Sequence, residues 1–136
     1  MAIVIGSALG IAILYSLVLL AATLGWTGKR PRTPFESLKD KDPVIRRLAA
    51  SELGARPGAN LDLAIEALGS ALQDGDNWVR WEAARSLGKI GVPAKSSIPA
   101  LRKALEDEDD RVRDRAAQAL KQIDPETEEA KMNEDP

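Results

Sequence analysis

A pattern of twelve residues that occurs three times constrains the fold of this chain more than any other feature. The copies begin at Asp42, Asp76 and Asp109 and share the form Asp-x-x-(Ile/Val)-Arg-x-x-Ala-Ala-x-x-Leu. Successive copies lie 34 and 33 residues apart. A fixed period of this length is typical of stacked-repeat proteins, in which each unit buries its apolar face only against its neighbours. The pattern therefore predicts an all-α protein built from consecutive helical hairpins.

Each copy has the periodicity of one amphipathic helix, which we call helix B of its unit. Apolar residues recur at positions i, i+4 and i+8, so they form one stripe along the helix. The opening aspartate stands where an N-cap residue is expected, because its carboxylate can accept hydrogen bonds from the amides of the first turn. The predicted stripes are Ile45, Ala49 and Leu53, then Val79, Ala83 and Leu87, then Val112, Ala116 and Leu120.

A second apolar pattern precedes two of the copies and predicts helix A of each unit. Its two versions are Ile65, Leu68 and Leu72, with Asn60 as candidate cap, and Ile98, Leu101 and Leu105, with Ser97 as candidate cap. The predicted loops are marked by Gly54, Pro57, Gly58, Gly88, Gly91 and Pro93. Before the first copy only Phe35 and Leu38 remain, so the first helix A is predicted to be short. Its helix B is then thinly covered, and we expect a partner or the membrane surface to complete it.

Residues 2–26 contain no charged side chain and are typical of a membrane-spanning helix. A helix of that length extends about 38 Å, enough to cross a hydrocarbon core of roughly 30 Å. Trp26 suits the membrane interface, and Lys29, Arg30 and Arg32 follow it. This basic flank predicts a single-pass membrane protein with its N-terminus outside and its repeats in the cytoplasm. A cleaved signal peptide is the alternative, and the lack of a basic segment before the apolar run disfavours it.

Small residues within this segment could let it pack against another helix. Gly6 and Gly10 are four residues apart, a spacing that permits close helix approach. Ala8 and Ala12 form a second small-residue stripe. The partner would be another subunit's span or a second copy, so a homo-oligomer is possible. Alternatively these residues have no packing role, because small residues are common in membrane spans.

The chain is thus predicted to have four segments. Residues 1–28 form the transmembrane anchor and residues 29–33 a basic linker. Residues 34–123 form the repeat domain, and residues 124–136 an acidic tail that we expect to be disordered, because it has almost no large apolar side chains.

Composition excludes several classes of chemistry. The 136 residues include no cysteine and no histidine, which removes disulfides, thiol nucleophiles, histidine-based triads and zinc sites built on sulfur or imidazole. We therefore predict no enzyme activity, no metal and no cofactor. The net charge of −2 gives no electrostatic case for nucleic acid, so none is expected as a partner.

The repeated arginines predict a structural ladder. Arg46, Arg80 and Arg113 fall in the first turn of each helix B, where a cation opposes the helix dipole. An aspartate of the same or the adjacent unit is the expected partner, which would give charge-assisted hydrogen bonds between turns. The predicted ladder adds the three opening aspartates: Asp42, Asp76 and Asp109. Phosphate binding by these arginines is the less favoured alternative.

Residues that differ between the copies are the candidates for function. One stripe of each helix B avoids the predicted core at spacing i, i+3, i+7, and we call the three stripes together the helix-B face. Its members are Val44, Arg47 and Ser51; Trp78, Trp81 and Arg85; and Arg111, Asp114 and Gln118. Tryptophan and arginine are the residue types most often found at interface hot spots, which favours a protein-binding patch. The alternative is that both tryptophans fill space between neighbouring B helices.

The pattern Leu-x-Asp-x-Asp-x-x-Val-Arg-x-x-Ala-Ala-x-x-Leu-Gly, which runs from Leu72 to Gly88, resembles HEAT repeats of the short type named after phycobilisome bilin lyases. The third copy departs from it, with Lys121 in place of the glycine. The resemblance implies a short right-handed α-solenoid of about 2.5–3 HEAT-like repeats, with the B helices on its concave side. It also implies a metal-dependent hydroxylase among the relatives, but that site needs histidines which this chain lacks.

These observations predict a membrane-anchored scaffold for protein–protein interaction, such as an accessory or assembly subunit of a larger membrane complex. Residues 2–26 would contact lipid, and the helix-B face would hold the partner. The alternative implied by the resemblance is a bilin-lyase-like enzyme, or a subunit of one, that attaches a chromophore.

Overall fold

The computed structural model describes residues 31–126, which are all-α as predicted. In chain order these residues form α1 (Pro34–Ser37), α2 (Pro43–Ala55), α3 (Leu61–Ala71), α4 (Asn77–Ile90), a 3₁₀ helix (Val92–Ser97), α5 (Ile98–Ala104) and α6 (Asp110–Ile123). The predicted membrane span at residues 2–26 and most of the predicted tail lie outside this range. Within it, no helix is both long and apolar enough to cross a bilayer.

The described helices form three consecutive hairpins. Helix B corresponds to α2, α4 and α6, and helix A to α1, to α3 and to the 3₁₀ helix continued by α5. The most extensive contacts join α2 to α4 and α4 to α6, so the B helices pack side by side in chain order. The first helix A is a single turn of four residues, closed by a capping box between Thr33 and Glu36. Two full hairpins and one abbreviated hairpin were predicted, and the fold confirms them.

The N-caps of the B helices are confirmed, whereas those of the A helices are not. Asp42, Asp76 and Asp109 have extended backbones, and their carboxylates accept hydrogen bonds from amides of the first turn. Asn60 and Ser97 occupy N-cap positions but make no side-chain cap hydrogen bond. Neither has the extended backbone that aims a cap at the helix, and the Ser97 hydroxyl instead donates to the Ala94 carbonyl at 2.6 Å.

Two glycines assigned to loops lie inside helices, so that part of the prediction was wrong. Gly54 is in α2 and Gly88 is in α4, at equivalent positions of their units. A Cβ atom on Gly54 would lie 2.8 Å from the Ser86 Cα atom, and one on Gly88 would lie 3.1 Å from the Ala119 Cα atom. These glycines are therefore required where one B helix crosses the next. Gly91, by contrast, ends α4 at φ 73°, a conformation that glycine adopts readily.

The predicted stripes form the core, except for two exposed residues, one at each end of the stack, and for Ile98, which is half-buried against the core. Ala83, Leu87 and Ala116 are fully buried, as are most of their equivalents. Ile45, however, is 36% exposed, because α1 is too short to cover it. Leu105 is 39% exposed, although its equivalent Leu72 is buried at the boundary with α5. The described residues include no further helix that could cover Leu105 in the same way.

Candidate functional site

Arginines of the B helices join each unit to the next. The Arg46 guanidinium donates from Nε and Nη2 to both carboxylate oxygens of Asp74, each at 2.8 Å. Arg80 repeats this with Asp107, at 2.8 Å and 3.0 Å. The remaining Nη1 groups donate to main-chain carbonyls, at 2.8 Å to Asp40 and to Asp74. Each guanidinium therefore holds the loop of its own unit and the carboxylate of the following one.

The two aspartates of each loop have separate tasks. The predicted ladder included Asp76 and Asp109 and took an aspartate of the same or the adjacent unit as the partner of each arginine. In the structure Asp76 and Asp109 instead cap helices. The ladder partners are the aspartates two positions earlier, Asp74 and Asp107. The Asp74 carboxylate also accepts a hydrogen bond from the main-chain amide of Asp76 at 2.9 Å. The pattern Leu-x-Asp-x-Asp contains both aspartates, but it does not divide their roles, because both lie within reach of the same turn.

The pairing of Arg46 with Asp74 shifts the pKa values of both groups. Partial burial alone would raise the pKa of Asp74, but the hydrogen bonds from Arg46 and from the Asp76 amide outweigh it and lower the pKa. The hydrogen bond from Asp74 in turn raises the pKa of Arg46. These pairs have two inter-residue hydrogen bonds each and limited exposure, so they are firmer than ordinary surface ion pairs.

The last arginine ends the ladder. Arg113 donates to the Asp107 carbonyl at 2.8 Å, as its equivalents do, but its carboxylate partner is Asp110 of the same helix at 3.2 Å. Its side chain is 41% exposed, against 8% for Arg80. No following unit lies in the described part of the chain to supply an aspartate. The guanidinium thus keeps its local contacts and loses the bond between units.

Two tryptophans of α4 occupy the middle of the helix-B face. Their ring centroids are 6.1 Å apart and the ring planes meet at 72°, an edge-to-face arrangement. Trp81 packs against the hydrophobic core, as the space-filling interpretation requires. Trp78 is 42% exposed and is the most accessible aromatic side chain of this face. Trp81 therefore fits the space-filling interpretation, and Trp78 stays the candidate for partner binding.

Guanidinium groups surround the tryptophan pair. The Arg111 Cζ atom lies 4.4 Å from the Trp78 ring centroid, and the Arg115 Cζ atom lies 4.7 Å from that of Trp81. Arg85 approaches Trp81 at 5.7 Å and donates to the buried Glu82 at 2.8 Å. All three guanidinium groups are within the distance range of cation–π attraction, which favours the observed positions of the two indole rings.

Arg115 was missed by the sequence analysis. Its Nε atom is buried and has no hydrogen-bond partner in the described part of the chain, since the guanidinium lies on the Trp81 ring. The available signal was its position four residues after Arg111, which puts both on the side of α6 that contacts α4.

The remaining members of the helix-B face surround the tryptophans with mixed chemistry. Val44 is 53% exposed, Arg47 is half-buried, and Asp114 and Gln118 are exposed. Arg111 is held by Asp109, whose pKa the Arg111 hydrogen bond lowers well below its usual range. The face therefore combines one accessible indole, one exposed aliphatic side chain and a polar rim.

The comparison with known families agrees with this geometry. Residues 32–121 match the family model described as HEAT repeats. The match does not extend to the bilin-lyase-type subdivision, which stays a prediction, and none of the curated proteins matches the chain. HEAT repeats commonly act as scaffolds for protein–protein interaction and are typically non-catalytic. The family model covers about two thirds of the chain, and the three stacked hairpins with their arginine–aspartate ladder agree with it. This chain therefore belongs to the HEAT-repeat family.

Proposed function

We propose that this protein is a membrane-anchored scaffold that binds a protein partner through its helix-B face. The observation that carries the proposal is the exposure of Trp78, whose ring lies beside the Arg111 guanidinium. A large indole that is 42% exposed keeps much apolar surface in contact with water. Covering that surface on binding stabilises a complex by roughly 25 cal/mol per Å² of apolar area.

The setting of Trp78 suits it to be an anchor residue. Its ring contacts both the Trp81 ring, in an edge-to-face arrangement, and the Arg111 guanidinium. A side chain that is already ordered loses little conformational entropy on binding, whereas immobilising a free one costs about 0.5–1.5 kcal/mol. Tryptophan and arginine clusters at the centre of a patch, with a polar rim around them, are the usual composition of interface hot spots.

Residues 2–26 would hold this face at a membrane. We propose that this uncharged segment spans the bilayer, with the basic residues after it on the cytoplasmic side. An anchor and a partner-binding face on one chain raise the effective concentration of each contact, so both can be weak separately. This favours a partner that is itself a subunit of a membrane complex.

Co-purification of the full-length chain in mild detergent tests the proposed face. We expect Trp78→Ala to reduce partner recovery at least tenfold while the helical content is unchanged, because the ring is half outside the core. Leu63→Ala is the matched control: Leu63 is 54% exposed on α3, an A helix, and its loss should leave recovery unchanged. Equal partner recovery with Trp78→Ala and Leu63→Ala would contradict partner binding by the helix-B face.

Alkaline extraction of membranes tests the anchor separately. We expect the full-length chain to stay in the membrane pellet at high pH, because an inserted span resists extraction that releases peripheral proteins. A variant lacking residues 2–26 should appear in the supernatant. Release of the full-length chain would contradict the anchor and leave the helix-B face untouched.

A further inference from the structure

The two ends of the repeat stack have opposite surface chemistry. Within the stack, α6 contacts α4 through Arg111 and Arg115, which lie over the two tryptophans. The equivalent positions of α2, 67 residues earlier, are Val44 and Leu48. These are 53% and 59% exposed, and Ile45 beside them is 36% exposed. Helix α2 thus presents an aliphatic strip on the side where a preceding B helix would pack, which we call the α2 strip (Val44, Ile45 and Leu48).

The other end of the stack is polar and cannot receive this strip. Gly88 of α4 permits the close crossing of α6, but the equivalent residue of α6 is Lys121, which is exposed. Asp114 and Gln118 are exposed on the same helix. A second copy stacked head to tail would place an aliphatic strip against charged side chains, with a lysine where the crossing needs a glycine. Open-ended stacking of copies is therefore disfavoured.

We propose that the α2 strip binds the α2 strip of a second copy, in an antiparallel two-fold pair. A two-fold axis crossing α2 between Arg46 and Arg47 puts Ile45 opposite Leu48 of the second copy, and the reverse. The same axis puts Lys41 opposite Glu52 of the second copy. Both charged side chains are exposed, and the pairing joins unlike charges at each end of an aliphatic centre. The surface is therefore self-complementary: aliphatic side chains face aliphatic side chains, and each lysine faces a glutamate.

The pair is expected to be weak in solution and effective at a membrane. One helix against one helix buries less than the area of roughly 1,000 Å² that a specific interface usually needs. Confinement of both copies to one bilayer by residues 2–26 would raise their effective concentration. The α2 strip shares only Val44 with the helix-B face. The residues that the proposed axis pairs, Ile45 and Leu48, lie outside that face, so the inference does not depend on the partner bound at Trp78.

Cysteine crosslinking in membranes tests the pairing, since the chain has no cysteine of its own. Full-length Ile45→Cys and Leu48→Cys chains carrying different tags are co-expressed and oxidised. We expect a mixed disulfide at least fivefold above that of a matched Gln118→Cys and Lys121→Cys pair at the polar end. A yield equal to the control, as a dimer held only through Gly6 and Gly10 would give, overturns the proposal. So does a disulfide between an α2-strip cysteine and a different protein that forms in place of the disulfide between copies.

Charge reversal distinguishes a second copy from any other occupant. With the cysteine pair in place, Lys41→Glu or Glu52→Lys alone should lower the yield about three- to tenfold, because like charges then face each other at both ends. The double variant, Lys41→Glu with Glu52→Lys, restores unlike pairs in a self-complementary interface and should recover the yield. Failure of the double variant to recover it would overturn the antiparallel pairing.

Discussion

At the scale of single residues, the structure depends on guanidinium groups that are shared between units. Arg80 is 7% exposed and donates to Asp107, Glu108 and the Asp74 carbonyl. A buried cation is tolerated only when its donors are matched in this way. The position near a helix N-terminus is unfavourable for a cation, and the carboxylate of the following unit compensates for it. The ladder thus supplies the hydrogen-bond acceptors that the buried guanidinium requires, and it also links one hairpin to the next.

Replacement of this arginine should cost much more than replacement of its equivalent at the end of the stack. We expect Arg80→Gln to lower the free energy of unfolding by about 3 kcal/mol, because it leaves the Asp107 carboxylate without its bidentate partner. Arg113→Gln removes main-chain contacts and one exposed ion pair, and should cost about 1 kcal/mol. Urea denaturation followed by tryptophan fluorescence in a Trp26→Phe background measures both. Equal losses would show that the ladder does not join the units.

Aspartates that accept hydrogen bonds from arginines also make stability depend on pH in the acid range. Asp40, Asp74 and Asp109 have lowered pKa values in the folded chain. The folded state therefore binds their protons more weakly than the unfolded state, and the stabilisation is complete above the unfolded pKa of about 4. It should be lost as the pH falls below about 4, through the folded pKa values.

Denaturation midpoints at several pH values test this dependence. We expect a nearly constant midpoint between about pH 6 and 8, because the chain has no histidine to titrate there. The denaturation midpoint should begin to fall below about pH 5. The decrease should be smaller in Asp74→Asn, because this variant has no carboxylate to protonate at position 74. A midpoint that rises on acidification would contradict the hydrogen bonds that these three carboxylates accept in the folded chain.

At the scale of helices, close crossings decide which sequence differences matter. Gly54 and Gly88 lie where α2 meets α4 and where α4 meets α6, and the Ser86 hydroxyl donates to the Ala50 carbonyl at 2.9 Å beside the first crossing. Lys121 replaces the glycine in α6, where no further B helix follows in the described residues. The third copy thus departs from the repeat pattern in a B helix that no other B helix of the described residues crosses at this position.

Glycine-to-alanine substitutions separate crossing positions from ordinary helical ones. Gly54→Ala should destabilise the fold by about 2 kcal/mol, because the new methyl group meets the main chain of α4 at Ser86. Gly88→Ala should cost less, since part of its overlap is with the mobile end of Gln122. Gly69→Ala in α3 is the control: its Cβ meets open space, and the higher helix propensity of alanine should stabilise by about 0.5–1 kcal/mol. Stabilisation by Gly54→Ala would contradict the close crossing.

The helices could be predicted because the repeat imposes the same periodicity three times, and the B-helix caps followed from the aspartate positions. Gly54 and Gly88 could not be assigned correctly from a single chain, because a glycine that ends a helix and one that permits a crossing look alike in sequence. The exposure of Ile45 was implied by the short α1 but depends on the length of that helix. Contacts between helices, rather than local helix propensity, determine the roles of Gly54 and Gly88 and the exposure of Ile45.

At the scale of the whole molecule, function depends on the surface that the repeats leave uncovered. The sequence placed Trp78, Trp81 and Arg85 on one side of a helix, and the structure divides them between core packing and exposure. Arg115 could not be found by comparing copies, because its contact with Trp81 joins two helices. The anchor and the partner remain proposals that rest on residues 2–26 and on this face.

Site-specific photo-crosslinking of the full-length chain in its own membranes tests the central claim most directly. A photoreactive phenylalanine derivative is placed at position 78, 114 or 118 of the helix-B face, or at control positions 63 and 92. The controls replace Leu63 and Val92, which are 54% and 55% exposed and lie outside that face. The account predicts that all three face positions give an adduct with the same partner protein and that neither control does. Adducts of equal yield from the control positions, or none from the face in membranes where the chain is abundant, would contradict it.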